Sequence, residues 1–158
     1  MRHVAVDFGQ RRIGLAISDA TGLLARPWRT LAADRTPRAS AAAVAALLAA
    51  GDDDEASGVG ALVIGLPRRL NGDDTDQTAA ARAFGRAVGE LTGLPVHFQD
   101  ERLTSYEADA RLAQRERDWR KRKARLDAAA AAIILQDYLD GQVRPARSGE
   151  PADGGPDR

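Results

Sequence analysis

The segment that most constrains the fold is HVAVDFGQRRIGLAISD, residues 3–19, in which two short apolar runs flank a glycine-containing turn. The runs at 4–6 and 13–17 are rich in β-branched residues, which favours two strands paired as a hairpin. Asp7 follows the first run directly. It is therefore either a turn residue or a functional carboxylate at the end of a strand.

The rest of the chain predicts an α/β fold with a mixed five-stranded sheet. Residues 23–31 indicate a third strand, and Pro27 places it at an edge or at a bulge. Residues 61–66 predict a central strand that is parallel to its neighbours, and residues 94–98 a fifth strand. Helices are predicted at about 37–50, 74–91, 104–117 and 126–139, the second capped by the pair Asp74 and Gln77. We expect an antiparallel meander of three strands joined to two parallel strands, with helices on both faces.

Length and composition favour one domain. The chain has 158 residues, and we expect a folded domain at 1–141 followed by a disordered tail at 142–158, where Pro, Gly and charged residues dominate. The absence of cysteine excludes disulfide and thiolate chemistry. No apolar run approaches the length of a membrane span and no signal peptide is evident, so we expect a cytoplasmic protein.

Two further acids occupy positions typical of functional sites. Glu101 follows the fifth strand and precedes a predicted helix, at the strand end where open α/β sheets bind ligands. Asp127 shares a helix face with Ala131, Ile134 and Tyr138, which are apolar or aromatic. The alternative interpretations are an ordinary loop acid for Glu101 and a first-turn acid favoured by the helix dipole for Asp127.

The net charge of zero conceals a basic segment. Residues 111–125 contain eight basic and two acidic residues, a net charge of +6. Such a segment is typical of binding to a polyanion such as nucleic acid, and equally of a solvated surface segment.

Several motifs occur in a specific order along the chain: DFG at 7–9, IGLA at 13–16, VIGLP at 63–67, NG at 71–72, DERLT at 100–104 and the Ala-rich run after Asp127. Together they resemble the YqgF (RuvX) family of the ribonuclease-H-like superfamily, over nearly the whole chain up to about Leu139. The resemblance implies a ribonuclease-H-like fold and a metal-dependent nuclease. It also implies that Asp7, Glu101 and Asp127 are the catalytic residues and the metal ligands. Carboxylate ligands without Cys or His point to Mg²⁺ or Mn²⁺.

The resemblance implies two substrates. The family is linked to maturation of the 5′ end of pre-16S ribosomal RNA, and its kinship to RuvC also implies cleavage of Holliday junctions. RuvC-like resolvases generally carry a fourth acid one helical turn beyond the last one, where this chain has Ala130. The expected partners are therefore precursor rRNA, ribosomal particles or branched DNA, bound by a monomer or a homodimer.

Basic residues near the predicted site are candidates for binding nucleic acid. They are Arg11, Arg12, Arg68, Arg69, Arg115, Arg120, Lys121, Arg122, Lys123 and Arg125. Their alternative role is surface solubility.

Two other classes of protein remain as alternatives. The same fold occurs as a non-catalytic binding module, and the presence of all three acids argues against that class here. Actin-like and sugar-kinase-like domains also begin with a strand that ends in Asp-x-Gly. The small size of the chain and the lack of a second Asp-Gly phosphate loop count against them.

Overall fold

The computed structural model describes residues 1–51, 55–101 and 119–143, with side chains in the last range described for 126–142. In chain order the elements are β1 Arg2–Phe8, β2 Arg12–Ser18, β3 Ala25–Ala32, α1 Pro37–Ala49, β4 Val59–Leu66, α2 Asp76–Thr92, β5 Val96–Asp100 and α3 Trp119–Val143. The helix predicted at about 104–117 and most of the tail predicted at 142–158 lie outside the described residues.

The five strands form one mixed sheet in the order β3-β2-β1-β4-β5. β1 pairs antiparallel with β2, and β2 with β3, which confirms the predicted meander. β1 also pairs in parallel with β4, and β4 with β5. Because β1, β4 and β5 run in the same direction, their carboxyl ends lie at the same end of the sheet. Ligands gather at that end in open α/β sheets.

β3 shows both features that its proline predicted. It is an edge strand of the sheet. Its register with β2 shifts between Leu15 and Ala16, where Pro27 pairs with Ala16. Since proline has no N–H to donate, it is tolerated at such an edge or irregularity and would interrupt a central strand.

The sheet separates two apolar layers. On one side Val4, Val6 and Phe8 of β1 pack with Val44 of α1 and Phe84 of α2. The rings of Phe8 and Phe84 stack with centroids 4.7 Å apart. The other layer lies beneath α3 and contains Ala5, Ala16, Val63, Ala131, Ile134, Leu135 and Leu139. Helices therefore cover both faces, as predicted, and the small residues of the second layer let α3 approach the sheet closely.

The cap predicted for α2 is wrong. Thr75 is the N-cap, with its hydroxyl accepting from the N–H of Thr78, and the hydroxyl of Thr78 accepts from the N–H of Thr75 at 2.9 Å. Both Thr75/Thr78 and the predicted Asp74/Gln77 have the spacing of a capping pair, so spacing could not decide between them. Asp74 forms an ion pair with Arg82 instead.

α3 is longer than predicted. It begins at Trp119 rather than Leu126 and continues to Val143 rather than Leu139. The periodic apolar pattern starts only at Leu126, whereas the preceding residues WRKRKAR contain good helix formers and no glycine or proline. Residues 120–125 therefore belong to a helix that leads into Asp127. Within the three described ranges, no helix has the length and apolar character needed to cross a bilayer.

Candidate active site

Asp7 lies near the carboxyl end of β1, where it pairs with Gly14 of β2. Its neighbours Val6 and Phe8 are buried in the layer under α1 and α2. Because side chains alternate along a strand, Asp7 is on the α3 side of the sheet. Its half-buried position at a strand end is the one that the sequence predicted.

Glu101 directly follows β5, and its N–H donates to the carbonyl oxygen of Leu66 at 3.2 Å. One carboxylate oxygen, Oε2, is buried. A Cβ atom on Gly65 would overlap that oxygen and would lie 2.8 Å from Cδ1 of Ile134. The absence of a side chain at Gly65 therefore makes room for the Glu101 carboxylate.

Asp127 lies about two turns into α3, which begins at Trp119. The interaction of a charge with the helix dipole falls off within the first turn, so the dipole does not explain this acid. The carboxylate oxygen Oδ2 of Asp127 is buried. Ala131 and Ile134, one and two turns further along, pack in the layer beneath α3, which agrees with the predicted inward face.

The three acids line one cavity. Asp7, Glu101 and Asp127 contribute to a cleft of about 380 Å³ at the carboxyl ends of β1 and β5. They come from β1, from the residue that directly follows β5 and from α3, which are far apart in sequence. The structure therefore brings together all three acids that the sequence singled out.

Burial and mutual repulsion shift the ionisation of two of these acids. Burial raises the pKa of Asp7, as does the charge of Asp127, while a hydrogen bond with Glu101 opposes this shift. Burial also raises the pKa of Glu101, and the charges of Asp7 and Asp100 and the hydrogen bond with Asp7 raise it further. The shared hydrogen bond favours the charged form of Asp7 and the neutral form of Glu101.

Hard divalent cations fit this donor set. Carboxylate oxygens are the ligands that Mg²⁺ and Mn²⁺ prefer, and a cation would neutralise the repulsion that raises the two pKa values. Within the described ranges, no three acidic or histidine side chains are grouped closely enough to hold a metal ion as they stand. Asp7 and Glu101 are hydrogen-bonded to each other, so a cation would replace the proton that they share.

Two arginines lie beside the acids. Arg11 and Arg12 line the same cleft, at the turn between β1 and β2. The Nη1 atom of Arg12 is buried and has no hydrogen-bond partner among the described residues. Guanidinium groups bind phosphate through paired hydrogen bonds. The cleft therefore combines three acids with two groups suited to a phosphodiester.

The arginines after β4 differ from each other. Arg69 lines an adjacent cavity of about 570 Å³, which shares Gln10 and Gln77 with the cleft of the acids. Arg68 makes ion pairs with Asp74 at 3.1 Å and Asp100 at 3.7 Å. Arg68 therefore anchors the loop after β4, while Arg69 lines the adjacent cavity together with Asp74 and Asp76.

The remaining predicted basic residues divide into two groups. Arg115 lies outside the described residues. Only the backbone is described for Arg120, Lys121, Arg122, Lys123 and Arg125. This backbone forms the first two turns of α3, directly before Asp127.

Comparison with known families identifies the chain. A family model described as RuvX, Holliday junction resolvase, matches residues 1–141. This chain belongs to the RuvX family. One RuvX relative, from Anaeromyxobacter sp. (strain Fw109-5), is 39% identical over 142 residues, covering 90% of this chain and 98% of the relative. Another, from Moorella thermoacetica, is 41% identical over 140 residues, covering 89% and 95%. Both are named as candidate pre-16S rRNA nucleases.

The RuvX chain also resembles solved structures in its fold. The Thermus thermophilus RuvC in complex with a Holliday junction substrate superposes with a TM-score of 0.50 at 16% identity, covering 90% of this chain and 96% of RuvC. A second structure of the same RuvC gives a TM-score of 0.50 at 14% identity. This likeness confirms the predicted ribonuclease-H-like fold.

Four further residues at or beside the cleft were not predicted from the sequence. Gly14 and Gly65 lie inside strands, and each would overlap a catalytic-candidate residue if it carried a Cβ atom. A glycine within a strand pattern is itself a signal of close backbone approach, so both could have been found. Gln10 and Gln77 line the cleft, and Nε2 of Gln77 donates to the carbonyl oxygen of Phe8 at 2.9 Å. No local sequence pattern indicates that contact.

Proposed function

We propose that this RuvX protein is a divalent-metal-dependent nuclease that hydrolyses phosphodiester bonds during maturation of the 5′ end of pre-16S rRNA. The observation that carries the proposal is the convergence of Asp7, Glu101 and Asp127 on one cleft that two arginines also line. The names of the relatives from Anaeromyxobacter and Moorella support pre-16S rRNA as the substrate.

In this proposal the three acids are the metal ligands, and two of them lose a proton on binding the metal. Asp7, Glu101 and Asp127 would hold Mg²⁺ or Mn²⁺. A bound divalent cation supplies Lewis-acid stabilisation of charge at the phosphate and at the attacking water. Asp7 and Glu101 would have to give up the proton of their hydrogen bond in order to hold a cation, because ligating carboxylates must be deprotonated.

The basic residues position the substrate. Arg11 and Arg12 line the cleft of the acids, so they contact the phosphate at or next to the cut. Arg69, in the adjacent cavity, and the basic turns at 120–125 bind flanking phosphates. Contacts of this kind fix the register of the strand without reading its sequence.

A second candidate function is cleavage of branched DNA such as a Holliday junction. The family description and the fold shared with RuvC favour it. Ala130 counts against it, because this buried residue stands where RuvC-like resolvases generally carry a fourth acid. A non-catalytic nucleic-acid-binding module is a third candidate, and the three convergent acids disfavour it. We place the protein in the cytoplasm, acting on precursor rRNA or ribosomal particles as a monomer or a homodimer.

One experiment separates these functions. The purified protein is incubated with a 5′-extended 16S rRNA precursor and with a four-way DNA junction, each with Mg²⁺, Mn²⁺ or EDTA. We expect metal-dependent cleavage of the RNA and an intact junction. Glu101→Gln should abolish cleavage, whereas Glu90→Gln, which changes an exposed acid on α2, should not.

Each other result has a definite meaning. Cleavage of the junction alone would replace the proposal with the second candidate. Binding without cleavage under both metals would favour the non-catalytic module. Full activity of Glu101→Gln would remove the acid cleft from the mechanism.

A further inference from the structure

The loop between β4 and α2 presents a leucine at the tip of a tight turn. The N–H of Gly72 donates to the carbonyl oxygen of Arg69 at 2.8 Å, so Leu70 and Asn71 are the central residues of the turn. Gly72 has φ of 91°, a left-handed conformation that glycine adopts without strain. The backbone that carries Leu70 therefore has a defined conformation.

Polar contacts hold this turn and its base. Within the turn, Nδ2 of Asn71 donates to Oδ2 of Asp73 at 3.0 Å, and the N–H of Asp73 donates to Oδ1 of Asn71 at 2.9 Å. At the base, Arg68 and Asp74 form an isolated antiparallel β-bridge. Arg68 also makes an ion pair with Asp100 at the end of β5, at 3.7 Å. The turn is therefore fixed to the strand end that leads into the acid cleft.

Leu70 is 79% exposed, more than any other large apolar side chain in the described part of the chain. A single exposed leucine is common on protein surfaces and means nothing by itself. The surroundings of this one are specific. Pro67 lines the cleft of the three acids, and Arg69 lines the adjacent cavity. Leu70 thus directly follows a residue that lines the adjacent cavity and lies three positions after one that lines the cleft of the acids.

We propose that Leu70 is a positioning residue that inserts against a nucleobase of the RNA strand bound in the cleft. The contact unstacks that base from its neighbour and directs the adjoining phosphate toward Asp7, Glu101 and Asp127. The inference rests on the proposed nuclease function, which supplies the nucleic acid. It names the contact that positions the strand relative to the acids.

Charged groups, an apolar side chain and a preorganised turn together favour this contact. Arginines hold the backbone of the strand electrostatically, and an apolar side chain then covers the face of a base that the backbone presents. Every base has such a face, so the contact tolerates any sequence. Because hydrogen bonds already fix the turn, little conformational freedom is lost on binding. Unstacking costs least in a single strand, which makes unpaired RNA the favoured substrate.

The test uses the fluorescence of 2-aminopurine, which rises when the base loses its stacking partner. Single-stranded RNAs with the sequence around the mature 5′ end of 16S rRNA carry the probe at successive positions, in EDTA so that nothing is cut. The variants are Leu70→Ala and the conservative Leu70→Met. The matched control is Leu24→Ala, since Leu24 is 69% exposed in the β2–β3 turn at the opposite end of the sheet.

We expect wild type, Leu24→Ala and Leu70→Met to raise the fluorescence at one or two adjacent positions, and Leu70→Ala to lose that rise. Leu70→Ala should also weaken RNA binding by about fivefold. If Leu70→Ala binds as tightly as wild type and raises the fluorescence equally, the inference is wrong while the nuclease function stands. If wild type fails to bind these RNAs while it cleaves the DNA junction, both the proposed substrate and this inference are wrong.

Discussion

The backbone of α3 at Asp127 lies directly against Gly14 of β2. A Cβ atom on Gly14 would overlap the carbonyl oxygen of Asp127 and would lie 3.0 Å from the N atom of Ala128. Gly14 is also the residue of β2 that pairs with Asp7. One glycine in the sheet therefore determines how closely the helix that carries one acid approaches the strand that carries another.

Gly14→Ala should separate the two acids. The added methyl group meets backbone rather than a flexible side chain, so α3 must move away from the sheet. We expect a loss of about 2 kcal/mol in the free energy of unfolding, typical of an overpacked core, together with a large loss of cleavage. Urea denaturation and a cleavage assay measure the two effects.

Gly60→Ala is the matched control, because a Cβ there meets only the flexible side chain of Met1. It should leave both stability and cleavage near the wild-type values. If Gly14→Ala behaved like this control, the close approach of α3 to β2 would not matter for the site.

The sequence predicted the sheet well because its signals are local. β-branched runs marked the first two strands, a continuous apolar run marked β4, and Pro27 marked the edge strand with its shifted register. The three acids could be proposed as candidates because strand ends and an acid on an apolar helix face are visible in the sequence.

The rest depended on contacts between distant segments. The predicted start of α3 was wrong because apolar periodicity shows only where a helix acquires an apolar face. The basic residues before Leu126 are helical but have no such periodicity. The predicted cap of α2 was wrong because Asp74 forms an ion pair with Arg82 instead of capping the helix. The hydrogen bond from Gln77 to Phe8 joins residues that are 69 positions apart in sequence, and no local pattern predicts such a contact.

The metal-free protein should lose stability as the pH rises. Burial and neighbouring charges raise the pKa of Asp7 to about 6 and that of Glu101 to about 9. In the unfolded chain both groups titrate near pH 4, so folding favours their protonated forms. Their contribution to stability is complete below about pH 4 and is lost as the pH rises through the raised pKa values.

Urea denaturation in EDTA between pH 5 and 9 tests this dependence against two variants. Glu101→Gln has no carboxyl proton to lose, so its stability relative to wild type should increase with pH over this range, by up to about 1.4 kcal/mol per pH unit. Glu90→Gln, an exposed control, should follow the wild-type curve. A constant difference between wild type and Glu101→Gln would show that Glu101 is ionised throughout.

The basic turns of α3 should bind phosphates without reading sequence. Replacing Arg120, Lys121, Arg122 and Lys123 with Gln removes four charges directly before Asp127. Each lost phosphate contact reduces the slope of log K against log salt by about 0.7 on single strands. Binding to unrelated RNAs should weaken to a similar extent, as measured by fluorescence anisotropy at several salt concentrations.

The control replaces Arg26 and Arg86 with Gln, two arginines on other elements of the fold. This variant should keep the wild-type slope. An unchanged slope in the quadruple variant would make residues 120–123 an ordinary solvated helical segment.

Asp127 should destabilise the protein without metal and stabilise it with metal. Its carboxylate raises the pKa of Asp7, which shows that the two groups repel each other. Asp127→Asn removes this repulsion, so the variant in EDTA should be at least as stable as wild type. Mn²⁺ at 100 times its Kd should stabilise wild type by about 2.7 kcal/mol, and the variant should gain much less.

Thermal melting of both proteins with EDTA and with Mn²⁺ decides whether Asp127 is a ligand. Asp137→Asn, which changes an exposed acid of the same helix, controls for general effects of charge and should keep the full response to Mn²⁺. A role in helix stability alone would make Asp127→Asn less stable in EDTA and leave its response to Mn²⁺ intact. Since Asp127 lies about two turns inside α3, where the dipole has little effect, only metal binding accounts for a reduced response together with unimpaired stability in EDTA.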